Sequence, residues 1–312
     1  MPIITLPFYS LFGSYGLLFF NLLNSTFIIL LIFNINRLFF NQYISCITAA
    51  VYAATTLFLN YTYNYSPDIF AANLFLGALY LIFVNRIYLG VGLLGLSIFA
   101  KISNLLPAAA VLGYLIWTLI KTDLRGCEYP RSENRSIRIM LLLIVFLGSL
   151  IPFAYTNYYL FGSPFTTGYQ KTAIAGKAPG EIVVSNHVDK FNQSLFKGSV
   201  QLLFHPKKGI VPTNPVLVLA FFGLFLIKKH PHVSKLLLLL SIGLIQFCFF
   251  ARYDEWYTSH FSNRFLMVLI ALSSVFASLF GVWVKNRIFL RQTNFEILPE
   301  DITLKKGEYQ TD

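Results

Sequence analysis

The chain has 312 residues, 56% of them hydrophobic, with a mean hydropathy of +0.64 and a charged share of 12%. A soluble domain carries about 25% charge, so this composition excludes a water-soluble globular protein and reads as a polytopic membrane protein, all-α in class. The net charge of +11 does not imply a nucleic-acid partner, because most Lys and Arg lie between apolar runs, where they set topology and meet anionic headgroups.

Residues 1–15, MPIITLPFYSLFGSY, are broken by Pro2, Pro7 and Gly13. They have no basic leader and no small-residue cleavage site, so they read neither as a span nor as a signal peptide. About nine spans follow, near 16–35, 42–60, 68–85, 88–101, 103–120, 139–158, 215–228, 235–251 and 265–285. A tight turn is expected at Asn85-Arg86. The short 88–101 and the returning 103–120 read as a helix broken at membrane depth, which is tolerated where it lines a cavity. Tyr residues crowd the span ends as an interfacial belt does. Cys46, Cys127 and Cys248 are far apart and form no disulfide or metal pattern. The transmembrane domain covers 1–290, and 291–312 is a polar tail.

Of the 24 Lys and Arg, 15 fall on one side of this topology, including Arg37, Arg86, Lys228, Lys229, Lys235 and the tail. The positive-inside rule puts that side in the cytoplasm. Asp68, Lys101, a long 159–213 loop and Arg264 then share the outer face. This assignment also leaves Met1 outside, from which an earlier span is expected.

Asp68 follows Pro67, and Lys101 precedes Ser103 and Asn104. An acid and a base at the outer ends of neighbouring apolar segments form a candidate site, because ionised groups there are costly unless paired or hydrated. Asp68 as a helix N-cap and Lys101 snorkelling to headgroups are the structural alternatives. In the outer loop, 194–204 reads as a short interfacial helix, and Lys207 and Lys208 suit a phosphate or headgroup; a solvated basic turn is the plainer reading. The last outer loop holds Arg252, Asp254, Glu255, Trp256, His260 and Arg264. Its aromatic groups suit sugar stacking and its Arg a phosphate, against an aromatic belt with local ion pairs. His230 and His232 lack acidic or thiol neighbours, so no metal site is expected. Gly90, Gly92 and Gly95 lie within a span and read as helix packing.

Taken in order, YNYSPDIFAANLFLGALYL, GVGLLGLSIFAKISNLLPAAAVLGYL, YTNYYLFGSPFTTGYQ, LLFHPKKGIVPTNPVLVLAFFGLFL and WYTSHFSNRFLMVLIAL resemble the GT-C superfamily of membrane glycosyltransferases. Protein O-mannosyltransferases and the lipid A aminoarabinose transferase are among its members. The likeness covers almost the whole chain. It implies transfer of a sugar from a polyprenyl-phosphate donor to a glycan, lipid or protein acceptor at the outer or luminal face. It implies no cofactor beyond that donor, no metal and no nucleic acid, and places the chain in a bacterial inner membrane. Lys101 and Arg264 take the lipid-phosphate role, Asp68 a supporting one, and Lys207, Lys208, Trp256 and His260 a substrate-binding one. The family's first span and acid-bearing first outer loop precede the LPFY-type stretch at which this chain starts, so an N-terminally truncated or inactive relative is expected. A flippase or transporter of lipid-linked sugars is the competing class.

Overall fold

The computed structural model describes residues 2–63, 66–122, 135–168, 170, 172–175, 182–185, 187–256 and 263–289. The described chain is helical except for one short antiparallel strand pair. In order it runs α1 (Pro2–Phe12), α2 (Ser14–Arg37), α3 (Gln42–Thr55), α4 (Pro67–Phe83), α5 (Ile87–Ala100), α6 (Leu105–Thr122), α7 (Arg135–Ser149) and α8 (Ile151–Phe161). Then come β1 (Thr172–Ala175), β2 (Ile182–Ser185), α9 (Leu195–Phe204), α10 (Ile210–Thr213), α11 (Leu217–Leu224), α12 (Val233–Ala251) and α13 (Met267–Val284). In the strand pair Thr172 lies opposite Ser185 and Ala175 opposite Ile182.

Each of the expected spans contains helix, but among the described residues five helical stretches are long and apolar enough to cross a membrane: Ser14–Arg37, Ile102–Lys121, Arg135–Phe161, Val233–Ala251 and Arg264–Arg287. The others are shorter. At about 1.5 Å per residue, α4 reaches roughly 25 Å, α5 and α3 roughly 21 Å and α11 roughly 12 Å, against a hydrocarbon core of about 30 Å. The shortfall has local causes. The 42–60 segment leaves the helix at Thr56, whose backbone is extended. The 215–228 segment stops after eight residues of α-helix and finishes as a 3-10 turn at Ile227–Lys229. The 159–213 stretch carries the strand pair, α9 and α10, and α9 falls where a short helix is expected near 194–204. The tail expectation for 291–312 lies outside the described residues.

Helix α13 is the axis of the bundle, with 78% of its apolar window buried, whereas Arg135–Phe161 at 11% lies on the periphery. Hydroxyl and amide groups fasten α13 to α2 and α3. Asn36 Nδ2 donates to Ser274 Oγ (2.9 Å), and Ser278 Oγ donates to Asn36 Oδ1 (2.7 Å). Thr48 shares a hydrogen bond with Ser278 (2.7 Å), and Tyr52 with Ser273 (2.8 Å). In an apolar medium such bonds favour one packing arrangement over its alternatives.

The hairpin α4–α5 positions the site. Asn85 turns the chain with φ of 64°, a left-handed conformation that Asn tolerates better than most residues. Gly90 then lets the two helices close: a Cβ there would stand 2.8 Å from the Ala78 carbonyl. On the other side of α5, a Cβ on Gly95 would collide with the Ser149 side chain. Both contacts accord with the packing role expected of the span glycines.

Candidate functional site

Helix α4 begins with Ser66 as its cap and Pro67 in the first turn, where a missing N–H costs nothing. The Ser66 hydroxyl accepts from the Asp68 backbone N–H (3.3 Å) and donates to Asp68 Oδ2 (2.8 Å). The cap is therefore Ser66, and the Asp68 carboxylate is free to face inward, where it is 6% exposed. Its place in the first turn of α4 suits a negative charge.

Two cations meet that carboxylate. Lys101 Nζ lies 2.5 Å from Asp68 Oδ1, and Arg264 Nε lies 3.1 Å from Asp68 Oδ2. The Arg264 Nε–H is not directed for a hydrogen bond, so its contact is one of charge. Lys101 is 11% exposed. It does not snorkel, since its ammonium also sits over the rings of Phe265 (4.7 Å) and Phe250 (5.2 Å). Those rings stack on each other at 5.0 Å, and the Arg264 guanidinium lies 5.3 Å from the Phe265 centroid. Cation–π contacts of this kind contribute about 0.5–2 kcal/mol each, more when dry.

The break between α5 and α6 makes this geometry. Lys101 adopts an extended backbone and ends α5, and a 3-10 turn at Ile102–Asn104 leads into α6. Asn104 is buried and donates from Nδ2 to the carbonyls of Ser97 (3.3 Å) and Ala71 (3.5 Å), tying the break to α4. Arg264 arrives from the other side, on the 3-10 turn that opens α13. Asn263 caps that turn by accepting from the Phe265 N–H (3.1 Å). Burial pushes the Tyr61 phenol well above its usual range; Arg264 opposes this and Asp68 adds to it.

The arrangement joins residues 68, 101 and 264 in one cluster of two cations and one carboxylate. Among the described residues, Asp68 is the carboxylate that both cations touch. With the Ser66 hydroxyl, Lys101 and Arg264 all on it, the Asp68 carboxylate is engaged on both oxygens and holds two positive charges together. The one-third exposure of Arg264 leaves the cluster an accessible edge.

Lys207 and Lys208 belong to a second cluster. They occupy the turn after α9, where both backbone N–H groups donate to His205 Nδ1 (3.3 and 3.2 Å). The His205 ring meets the edge of Trp256 at 5.7 Å. Trp256 is buried, at 2% exposure, so it packs beneath this turn and offers no open face for sugar stacking. His260 lies outside the described residues. Ser66, Tyr61, Phe250 and Phe265 are site residues that the sequence reading did not single out. The Ser-Pro-Asp order carries a readable cap signal, whereas nothing distinguishes two of 32 phenylalanines. No cluster of three His, Cys, Asp or Glu able to hold a metal occurs among the described residues. The chain matches no protein-family model, no curated protein and no solved structure.

Proposed function

We propose that the chain is a glycosyltransferase-type integral membrane protein of the bacterial inner membrane. In this reading it takes a polyprenyl-phosphate-linked sugar at the outer membrane face and passes the sugar to a glycan, lipid or protein acceptor. The supporting observation is the convergence of Lys101 and Arg264 on Asp68. Two cations held by one carboxylate leave a formal excess of one positive charge at a span end. That charge suits the phosphate of a lipid carrier, and it would stabilise the negative charge that develops on a leaving lipid phosphate. Lys101 and Arg264 hold the phosphate, and Asp68 keeps them in register. The nine-span topology, including the shorter helices α3, α4, α5 and α11, belongs to the same proposal.

The engagement of Asp68 favours a second reading, because a general base has to be free to take a proton. The site then binds the phosphate of a lipid-linked sugar without transferring the sugar, as a flippase or an inactive relative would.

Two measurements test these readings. Native mass spectrometry of the purified protein with polyprenyl phosphate and with uncharged polyprenol is expected to show retention of the phosphate alone, lost in Lys101→Met and Arg264→Met. Equal retention of the alcohol and the phosphate would sink both readings. Release of polyprenyl phosphate from polyprenyl-phosphate hexose or pentose in vesicles then separates transfer from binding.

A further inference from the structure

Helix α9 presents two apolar faces. Gly198 and Leu202 form the inner one. A Cβ on Gly198 would overlap the Ala251 carbonyl, so only glycine admits the last turn of α12 this closely. The preceding residues fasten the same junction. Phe191 packs on Phe249 (4.7 Å) and Tyr253 (4.9 Å), and the Gln193 N–H donates to the Arg252 carbonyl (3.2 Å). The outer face is a stripe four residues apart, Phe196, Val200 and Phe204, which are 80%, 45% and 60% exposed.

The position of this stripe matters. Ala251 ends a span-length helix, and in the proposed topology that end, with α9 against it, meets the boundary between the hydrocarbon core and water. Lys197, Lys207 and Lys208 flank the stripe, and from Phe191 to Thr213 the sequence has no acidic residue. A short helix with an aromatic stripe and neighbouring lysines at that depth has the makings of an interfacial element, held by buried apolar area and by attraction to anionic lipid.

We infer that α9 docks on the bilayer surface, with Phe196, Val200 and Phe204 in the acyl boundary and Lys197, Lys207 and Lys208 on anionic headgroups. The partner is an anionic phospholipid surface, with no requirement for the lipid-linked sugar. The helix end that α9 packs on also carries part of the candidate site. Gly198 abuts Ala251, and its neighbour Phe250 lies against the Lys101 ammonium.

The test uses the full chain with Cys46, Cys127 and Cys248 replaced by Ser and a fluorophore at Val200→Cys or, on the polar flank, at Lys197→Cys. The protein is placed in nanodiscs of phosphatidylcholine with or without phosphatidylglycerol, each carrying a shallow doxyl lipid quencher. The label at 200 should be quenched more than the label at 197. Phosphatidylglycerol should deepen that quenching, and Lys207→Gln with Lys208→Gln should remove about half or more of the gain. Equal quenching at both positions, or no response to phosphatidylglycerol, overturns the inference. Protection of position 200 from an aqueous quencher without doxyl quenching also overturns it, by pointing to a second protein chain on this face.

Discussion

Lys101 and Asp68 touch at 2.5 Å although 33 positions separate them, because the first ends one arm of a hairpin and the second opens the other. The contact is buried and Arg264 joins it. Removing one member of such a group is costly, since the remaining charges lose their compensation. Asp68→Asn leaves two cations facing a neutral amide, and the loss of stability is expected to be about 3 kcal/mol. Adding Lys101→Met should recover more than half of it while abolishing retention of polyprenyl phosphate. Thermal unfolding in detergent for the single and double variants checks this. Additive losses would show that the two residues act independently.

The rings over Lys101 contribute separately from its ion pair. Phe265→Leu keeps an apolar side chain but removes the π face closest to the ammonium and to the Arg264 guanidinium. A loss of about 1 kcal/mol is expected, together with weaker phosphate retention. Phe222→Leu provides the comparison. Its ring lies 48% exposed and away from the cations, against Phe221 and Phe280, and its replacement should change retention little.

At the opposite end, His230 is buried at 2% exposure among Phe39, Phe40 and His232, with its Nδ1 accepting from the His232 N–H (3.1 Å). Burial is the main cause that lowers its pKa from 6.5 to about 4, and His232 adds to the effect. The unfolded chain therefore binds more protons between these values, and stability falls as the pH drops through that window, by up to about 3 kcal/mol. Above pH 6.5 the effect is absent, and below about 4 it is complete. Comparing His230→Phe with the parent chain between pH 7 and pH 4 measures it: the variant should lose less stability over that range.

Asn36 and Asn34 separate a tertiary polar contact from a local one. Asn36 bridges to Ser274 and Ser278 on α13, whereas Asn34 donates to Leu30 on its own helix. Asn36→Ala should cost about 1–2 kcal/mol, and Asn34→Ala a few tenths. Equal effects in thermal unfolding would contradict the role of the α2–α13 contacts.

Several features of the site were legible in the sequence because their physics is local. Pro67-Asp68 reads as a helix start, although the cap is Ser66 and not Asp68, Asn85-Arg86 reads as a turn, and Lys101 at the end of an apolar run as the close of a helix. Span lengths were less legible. Apolar composition continues past Thr56 and past Leu224, yet the helices do not, because those residues bury in turns as readily as in spans. Phe250, Phe265 and the hidden position of Trp256 were beyond reach. A chain with 17% aromatic residues gives no sign of which rings a folded bundle brings over an ammonium group.

In the proposed topology, the hairpin that carries Asp68 and Lys101 is shorter than the bilayer it would cross. With arms of roughly 25 and 21 Å, it leaves several ångströms of an average bilayer unmatched. In that topology lipids beside α4 and α5 are expected to tilt or compress, so that the leaflet dips above residues 68 and 101. Such a dimple would bring headgroups and water down to the cluster, and the proposed phosphate would reach Lys101 without first crossing acyl chains. Bilayers of longer acyl chains make the dip more costly, and in them the affinity for polyprenyl phosphate is expected to fall.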